Sequence, residues 1–410
     1  MKISIKNLNF FLLSVLSFIT LFDQVLSKKK DLNAVPITIQ QHYINTDVQR
    51  FIDLTCASIV RSKINLKIKK SSTNSGKENF PYYFALPSEL SELKLASFQV
   101  FLSKQSFDDK NQVNTVVEKD AIDAKSGVQY FKLTFPDNFK VEDSFLKVKI
   151  AFTNLLKPFP KSVEQIPKTS QTGSRQLLLF NGFAHFWSPY LTENQKTTIR
   201  LPKSHIESYT ASPKPVTKTD KALTYGPYRD VSAITSPEST DRIKIHFEHP
   251  HAILVAKTHE RIVEVSHWSG KLGVEDHIDL HHNGAKIKGH YSNIDYRLTQ
   301  HMQVDTNVVK SIPLVLPANA VDVYFKDTIG NVSTTNFRNE KKRSLLEFRP
   351  RYPLYGGWKY SWFYGYSVPI SQFLKSNKNK YEISVDFYDS MHNITVEKAI
   401  LKISLPEGST

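Results

Sequence analysis

The heptapeptide KINLKIK, residues 63–69, sets Ile64, Leu66 and Ile68 at every second position between polar neighbours. Period two marks a strand with one face buried and one wet, because successive side chains leave a strand on opposite faces. A helix would instead bring its apolar residues round every three or four positions. The same alternation recurs in FLKVKIAF (145–152), DRIKIHF (241–247), RIVEV (261–265), VDVYF (321–325), YEISVDF (381–387) and AILKI (399–403). Only Ser88 to Leu95 and Ile370 to Leu374 read as short helical turns. Many strands without crossover helices imply antiparallel pairing. The expected class is all-β, mostly antiparallel, with two β-sandwich-like domains and few short helices.

Outward from these strands the chain divides. Lys2 and Lys6 precede an apolar run from Phe10 to Phe22, and a short polar segment ends at Val25-Leu26-Ser27. That order is a secretory signal peptide, expected to be cut between Ser27 and Lys28. The run is short for a membrane span, which needs about 20 apolar residues, and no later run reaches that length. Ser71 to Lys77 reads as a loop. The stretch from Ser212 to Thr240, rich in Pro, Ser, Thr and Asp, reads as a linker anchored by Tyr225-Gly226-Pro227-Tyr228. The expected layout is a signal peptide at 1–27, a first β-rich domain at 28–211, a linker at 212–240 and a second β-rich domain at 241–410.

The 54 Lys and Arg against 39 Asp and Glu leave a net charge of +15. Solvated lysine faces are the plain reading, and a basic surface also suits anionic lipid headgroups or acidic partners. The signal peptide argues against nucleic acid, as does the lack of zinc-finger spacing, RNA-recognition motif or basic helix. Cys56 is the single cysteine, so no disulfide closes within the chain and packing must hold the cores. It reads as a small buried residue near a strand.

Ten of the fourteen histidines lie between His246 and His301. His277, Asp279 and His281 share one face of a strand, a donor set that suits zinc. His259-Glu260-Arg261 begins like a zincin helix but lacks the second histidine and runs into a strand. Polar histidines on wet strand faces are the competing reading. There is no G-x-S-x-G elbow, phosphate loop or dinucleotide fingerprint, and no cofactor is expected. Asn331-Val332-Ser333 and Asn393-Ile394-Thr395 are N-glycosylation acceptor sequons.

RPRYPLYGGWKYSWFYGY, residues 349–366, holds eight aromatic rings in eighteen residues. Pro350 and Pro353 forbid a helix. Gly356-Gly357 allows a sharp turn or close backbone approach. Tyr and Trp give large contact area at low entropic cost. Three uses stay open: core or interdomain packing, a partner surface, and a glycan platform. Trp268, Arg349, Arg351, Tyr355 and Trp358 are the candidate packing or partner residues.

Several blocks, in order, resemble the ribophorin I family. They are RIVEVSHW (261–268), LVLPANAVDVYFKD (314–327), IGNVST (329–334), RPRYPLYGGWK (349–359) and LPEG (405–408), with Ser188-Pro189-Tyr190, Glu207-Ser208-Tyr209-Thr210 and Tyr225-Gly226-Pro227-Tyr228 upstream. The resemblance implies a lumenal, two-domain, non-catalytic subunit of the oligosaccharyltransferase of the endoplasmic reticulum. That complex transfers a preassembled oligosaccharide from dolichyl diphosphate to Asn-x-Ser/Thr of nascent chains. It implies other subunits of the complex as partners, among them the polytopic one that carries the chemistry, together with nascent polypeptides and the translocon. Family members continue past the Leu-Pro-Glu-Gly block into a transmembrane helix and a cytosolic tail. The alternative function is a secreted or lumenal glycan-binding β protein, and a histidine-dependent metalloenzyme is a third reading.

Overall fold

The computed structural model describes residues 39–409 with breaks at 72–79, 92–93, 104–112, 116, 124–126, 137–143, 167–175, 235–241, 267, 300–306, 378–379, 389–390, 392 and 408. The signal-peptide junction at Ser27 and Lys28, most of the 71–77 loop, the last part of the expected linker, His267 and His301 lie outside the described residues. The described chain is all-β, mostly antiparallel.

KINLKIK lies within strand Ile59–Lys70, with Ile64, Leu66 and Ile68 buried and Lys63, Lys67 and Lys69 half-buried on the other face. This strand sits inside an eight-stranded sheet, between Tyr43–Asp53 and Ser144–Thr153, pairing antiparallel with both. The sheet also takes in Leu95–Ser103, Thr192–Arg200 and Ala222–Val231. One of its ladders is parallel, between 43–53 and 192–200. A three-stranded sheet that includes Tyr82–Pro87 and Val128–Leu133 packs on its inner face, as does a four-stranded one that includes Leu177–Phe183 and Arg242–Glu248. Ile64, Leu66, Phe84, Phe131, Phe180, Ile245 and Phe247 meet in that core.

The stretch expected as a linker is largely ordered. Val216–Lys218 and Ala222–Val231 extend the eight-stranded sheet, and the Tyr225 and Tyr228 hydroxyls donate to the carbonyls of Thr210 and Pro213, both 2.8 Å away. Strand 242–248, expected to open the second domain, packs in the first core because its ladder partner is 177–183. The chain changes cores at residues 248–254.

The second core lies between a six-stranded sheet and a three-stranded one. The larger contains Val321–Asp327, Lys359–Pro369, Lys271–His282 and Leu254–Ser266 in that spatial order, with Ile394–Val396 and Ala399–Ser404 parallel to 254–266. The smaller holds Ile312–Leu316, Ser344–Phe348 and Asn336–Asn339. Helices are short: Ser88–Ser91, a 3-10 turn Ile370–Gln372, and Asn293–Thr299, which periodicity did not reveal. Among the described residues no helix is long and apolar enough to cross a membrane.

The two cores are stitched together. Ser162–Val163 pairs in parallel with Lys286–Ile287. Gln165 clamps Ser292 in both directions, Nε2 donating to its carbonyl at 2.6 Å and Oε1 accepting from its amide at 2.9 Å. The Ser58 hydroxyl donates to the Leu254 carbonyl at 3.0 Å. Half-buried Cys56 lies in the same bend and is a free thiol. His249 is buried beside it. The His251 amide donates to His249 Nδ1 at 3.1 Å, so Nε2 carries the proton and donates to the Thr55 carbonyl, also 3.1 Å away. Burial holds this imidazole down to about 4.

Candidate functional site: the aromatic end of the second core

The aromatic stretch divides by face. Along strand 359–369 the rings of Tyr360, Trp362, Tyr364 and Tyr366 alternate inward and are buried. Trp362 stacks on Phe348 with centroids 3.8 Å apart and planes 13° apart, and on Tyr364 at 5.2 Å. This is the packing use, and it holds despite the two prolines, because both precede the strand. Gly356 explains the glycine pair: a Cβ there would collide with the Ala285 carbonyl, and Gly357 has φ +83°.

Before the strand, the rings gather at the sheet's end. Trp358 is half-buried and meets Tyr291, Tyr355 and Tyr352 edge-on at 5.1, 5.4 and 5.8 Å. Tyr355 is buried, whereas Tyr352 is 38% exposed. Thus Trp358 is not the core tryptophan of the stretch; Trp362 is. Helix 293–299 adjoins this cluster through Tyr296, which faces Tyr291 and Tyr355. Ser292 caps the helix, its hydroxyl accepting from the Asp295 amide at 3.2 Å. Ile294 and Leu298, four residues apart and so on one side of the helix, are 74% and 69% exposed. Tyr296 faces the rings, so Ile294 and Leu298, each two positions from it, leave the helix on the side away from the cluster.

Arg351 acts on the turn that carries the first sequon. Its Nε and Nη2 donate to Asp327 Oδ2 and Oδ1 at 2.8 and 2.9 Å, and Nη2 also donates to the Asn331 carbonyl at 3.2 Å. Tyr360 adds a hydroxyl to Oδ2 at 2.8 Å, and the amides of Ile329 and Gly330 donate to Oδ1 at 2.9 Å. Arg351 first, then Tyr360 and the two amides, hold the Asp327 carboxyl well below the usual carboxylate range. Asn331 is exposed on this braced turn, with Val332 buried beneath it. Asn393 is exposed too, at φ +61°. Arg349 pairs with Glu347 at the surface (3.1 Å). Trp268 lies apart from the cluster, 90% exposed on the turn between 254–266 and 271–282.

The histidines take local roles. His277, Asp279 and His281 do share the outer face of strand 271–282, but His277 bonds Glu275 at 2.6 Å and stacks on Phe363 at 4.9 Å, while His281 pairs with Asp279 at 3.3 Å. A groove of about 300 Å³ opens there, lined among others by Glu260, His277, Asp279 and Phe363. The zincin-like start is a buried ion cluster. His259 Nε2 lies 2.8 Å from Asp276 Oδ1, and Arg261 donates to both carboxylate oxygens at 2.8 and 2.9 Å. Burial raises the Asp276 carboxyl, but the bonds from His259 and Arg261 outweigh it and leave the carboxyl below its ordinary value. Among the described residues no three of His, Cys, Asp or Glu converge as metal ligands. The Asp276 cluster had no signal in the sequence beyond three polar residues on faces that alternation assigns inward.

Comparison with known proteins adds the following. The family model described as Ribophorin I matches residues 43–410. The dolichyl-diphosphooligosaccharide–protein glycosyltransferase subunit 1A of Arabidopsis thaliana is 31% identical over 88% of this chain and 56% of its own. Subunit 1 of Caenorhabditis elegans is 34% identical over 64% of this chain and 43% of its own, and the Arabidopsis subunit 1B 32% over 70% and 59%. The chain spans about half the length of these relatives. Among solved structures, native leukotriene A4 hydrolase from Saccharomyces cerevisiae aligns over 55% of this chain and 33% of its own at 9% identity, with a TM-score of 0.30, too low a likeness to carry an argument. Matched by the family model from its first described strand to its last residue, the chain belongs to the ribophorin I family.

Proposed function

We propose that the chain is the lumenal, non-catalytic part of an oligosaccharyltransferase subunit. It supports transfer of a preassembled glycan from dolichyl diphosphate to Asn in Asn-x-Ser/Thr of nascent chains, on the lumenal side of the endoplasmic reticulum membrane. Its partners are the other subunits, including the polytopic one that performs the transfer, with nascent polypeptides and the translocon close by. The observation that carries this is the family match over residues 43–410, together with relatives named as subunit 1 of that glycosyltransferase. Ile294 and Leu298 on the helix, and Tyr352 and Trp358 on the rim of rings, are the docking contacts in this reading, since aromatic residues enrich the cores of protein interfaces. Affinity purification of a tagged copy from mildly solubilised membranes, with mass spectrometry, tests it. Recovery of the catalytic subunit in near-stoichiometric amount is the expected result; a chain recovered alone overturns the reading.

A second reading, direct glycan binding, rests on one observation. Phe363, His277, Glu260 and Asp279 line an open groove, combining a ring with hydrogen-bonding groups. Titration of the purified chain with free oligosaccharide, read by tryptophan fluorescence and calorimetry, decides it. Saturable binding that Phe363→Ala abolishes supports this reading, and no heat at millimolar sugar removes it.

A further inference from the structure

The outer face of the eight-stranded sheet carries an unusual run of cations. Ladder registry lays them out in rows across the strands. One row reads Arg200, Asp53, Arg61, Ala151 and Ser97; the next reads Thr198, Phe51, Lys63, Lys149 and Gln99. Lys63 and Lys149 stand directly opposite each other. Like charges in that position destabilise a sheet pair, so the pair costs the fold and gains from an anion placed between them. Phe51, 40% exposed, sits beside Lys63 in the row. The Lys149 ammonium lies 4.7 Å from the centroid of the Phe101 ring.

The two rows, Gln99 excepted, line a groove of about 890 Å³, walled on one side by the turn at Thr219, Asp220, Lys221 and Ala222. Arg61, Lys63, Lys149, Arg200 and Lys221 face two carboxylates there, Asp53 and Asp220, which leaves a net charge of +3 in the lining. Among the described residues none of the five cations forms an ion pair. The walled shape suits a chain that enters the groove better than a flat bilayer, which needs an open face. The charge is spread along the rows, at roughly 5 Å per strand, instead of focused on one point as a single phosphate requires. Phe51 adds an apolar contact of the kind a polypeptide offers.

We propose that this groove binds an acidic stretch of unfolded polypeptide lying across the strands, with its carboxylates on Lys63, Lys149, Arg61 and Arg200 and an apolar side chain on Phe51. The inference stands on the groove's chemistry and not on membership of any complex. Its test uses the purified full chain without other subunits, so failure here leaves the purification result untouched, and the reverse holds as well.

The probe is a fluorescein-labelled ten-residue peptide of alternating Glu and Leu, with a Lys-for-Glu counterpart, read by fluorescence anisotropy at 50 and 300 mM salt. The acidic peptide is expected to bind at least tenfold tighter than the basic one and to weaken at high salt. The double variant K63Q/K149Q should lose at least tenfold in affinity with an unchanged or higher melting midpoint, because it removes the repulsive pair. F51S should weaken binding several-fold at both salt concentrations. Equal binding of both peptides, or an affinity unchanged in K63Q/K149Q, overturns the proposal. Two competitors also bear on it. Phosphatidylserine vesicles that bind more tightly than the peptide through the same lysines, or inorganic pyrophosphate that displaces it at equimolar concentration, would assign the groove to a lipid surface or a small anion and overturn it too.

Discussion

Trp362 stacks on Phe348 in the middle of the second core, whereas Trp358 sits half-buried among Tyr291, Tyr352 and Tyr355 at its end. Truncation should separate them. Trp362→Ala removes a fully enclosed ring and is expected to cost about 3–5 kcal/mol, measured by chemical denaturation. Trp358→Ala should cost clearly less and should instead lower recovery of partner subunits. Asp276 offers a second test at this scale. Its carboxylate is buried against Arg261 and His259, so Asp276→Ala leaves a buried cation unpaired and should cost about 3–5 kcal/mol. The double change Asp276→Leu with Arg261→Met should recover most of that loss, since apolar replacements of a buried pair are often neutral. A double variant no more stable than Asp276→Ala would show that the cluster contributes more than a satisfied pair.

Among the elements, alternation read correctly in most of the expected strands, but of the stretch 381–387 only 381–383 is strand, and Phe387 beyond it is 52% exposed. Strands 59–70, 144–153 and 254–266 carry the expected faces, and the inward rings of strand 359–369 follow the same rule. What the sequence concealed has physical causes. Strand 222–231 hides in a Pro- and Thr-rich segment because it is held by a ladder partner some thirty residues upstream and by tyrosine hydroxyls, and strand 216–218 pairs in turn with 222–231. Helix 293–299 is too short to show a period, and its apolar side faces outward instead of into a core. The candidate site was half legible. The rings announced a packed or docking region, but which ring goes where depends on strand phase after Gly357, and the Arg351 lock on Asp327 joins residues 24 apart. Helix 293–299 also yields a prediction. Ile294→Asp with Leu298→Asp should leave the melting midpoint within about a degree of the parent, because neither side chain is buried, while co-purification with partner subunits falls. A large drop in the midpoint would mean that this face packs within the chain.

For the whole molecule, acid is the sensitive axis. Burial holds His249 and His282 near 4, against an ordinary value of about 6.5. Both are neutral in the fold and take up protons on unfolding. Their contribution is therefore complete above pH 6.5 and lost as pH falls from there toward 4, by up to about 1.4 kcal/mol per pH unit for each. Asp276 and Asp327 are held below the usual carboxylate range, so their contribution persists lower and is lost only as pH falls below about 4. Melting curves from pH 7.5 to 3 should show a decline that begins near 6.5 and steepens below 4. A midpoint flat between 7 and 5 would contradict the histidine assignment.

The ladder between Ser162–Val163 and Lys286–Ile287 adjoins the place where the chain itself passes between the cores at 248–254. The Asn283 amide donates to the Ile253 carbonyl at 2.8 Å, and the His249 amide to the Gln176 carbonyl at 2.9 Å. Crossing, ladder and these bonds make one seam. A joint of a single thread bends freely; a seam sewn several times opens only when its stitches part together.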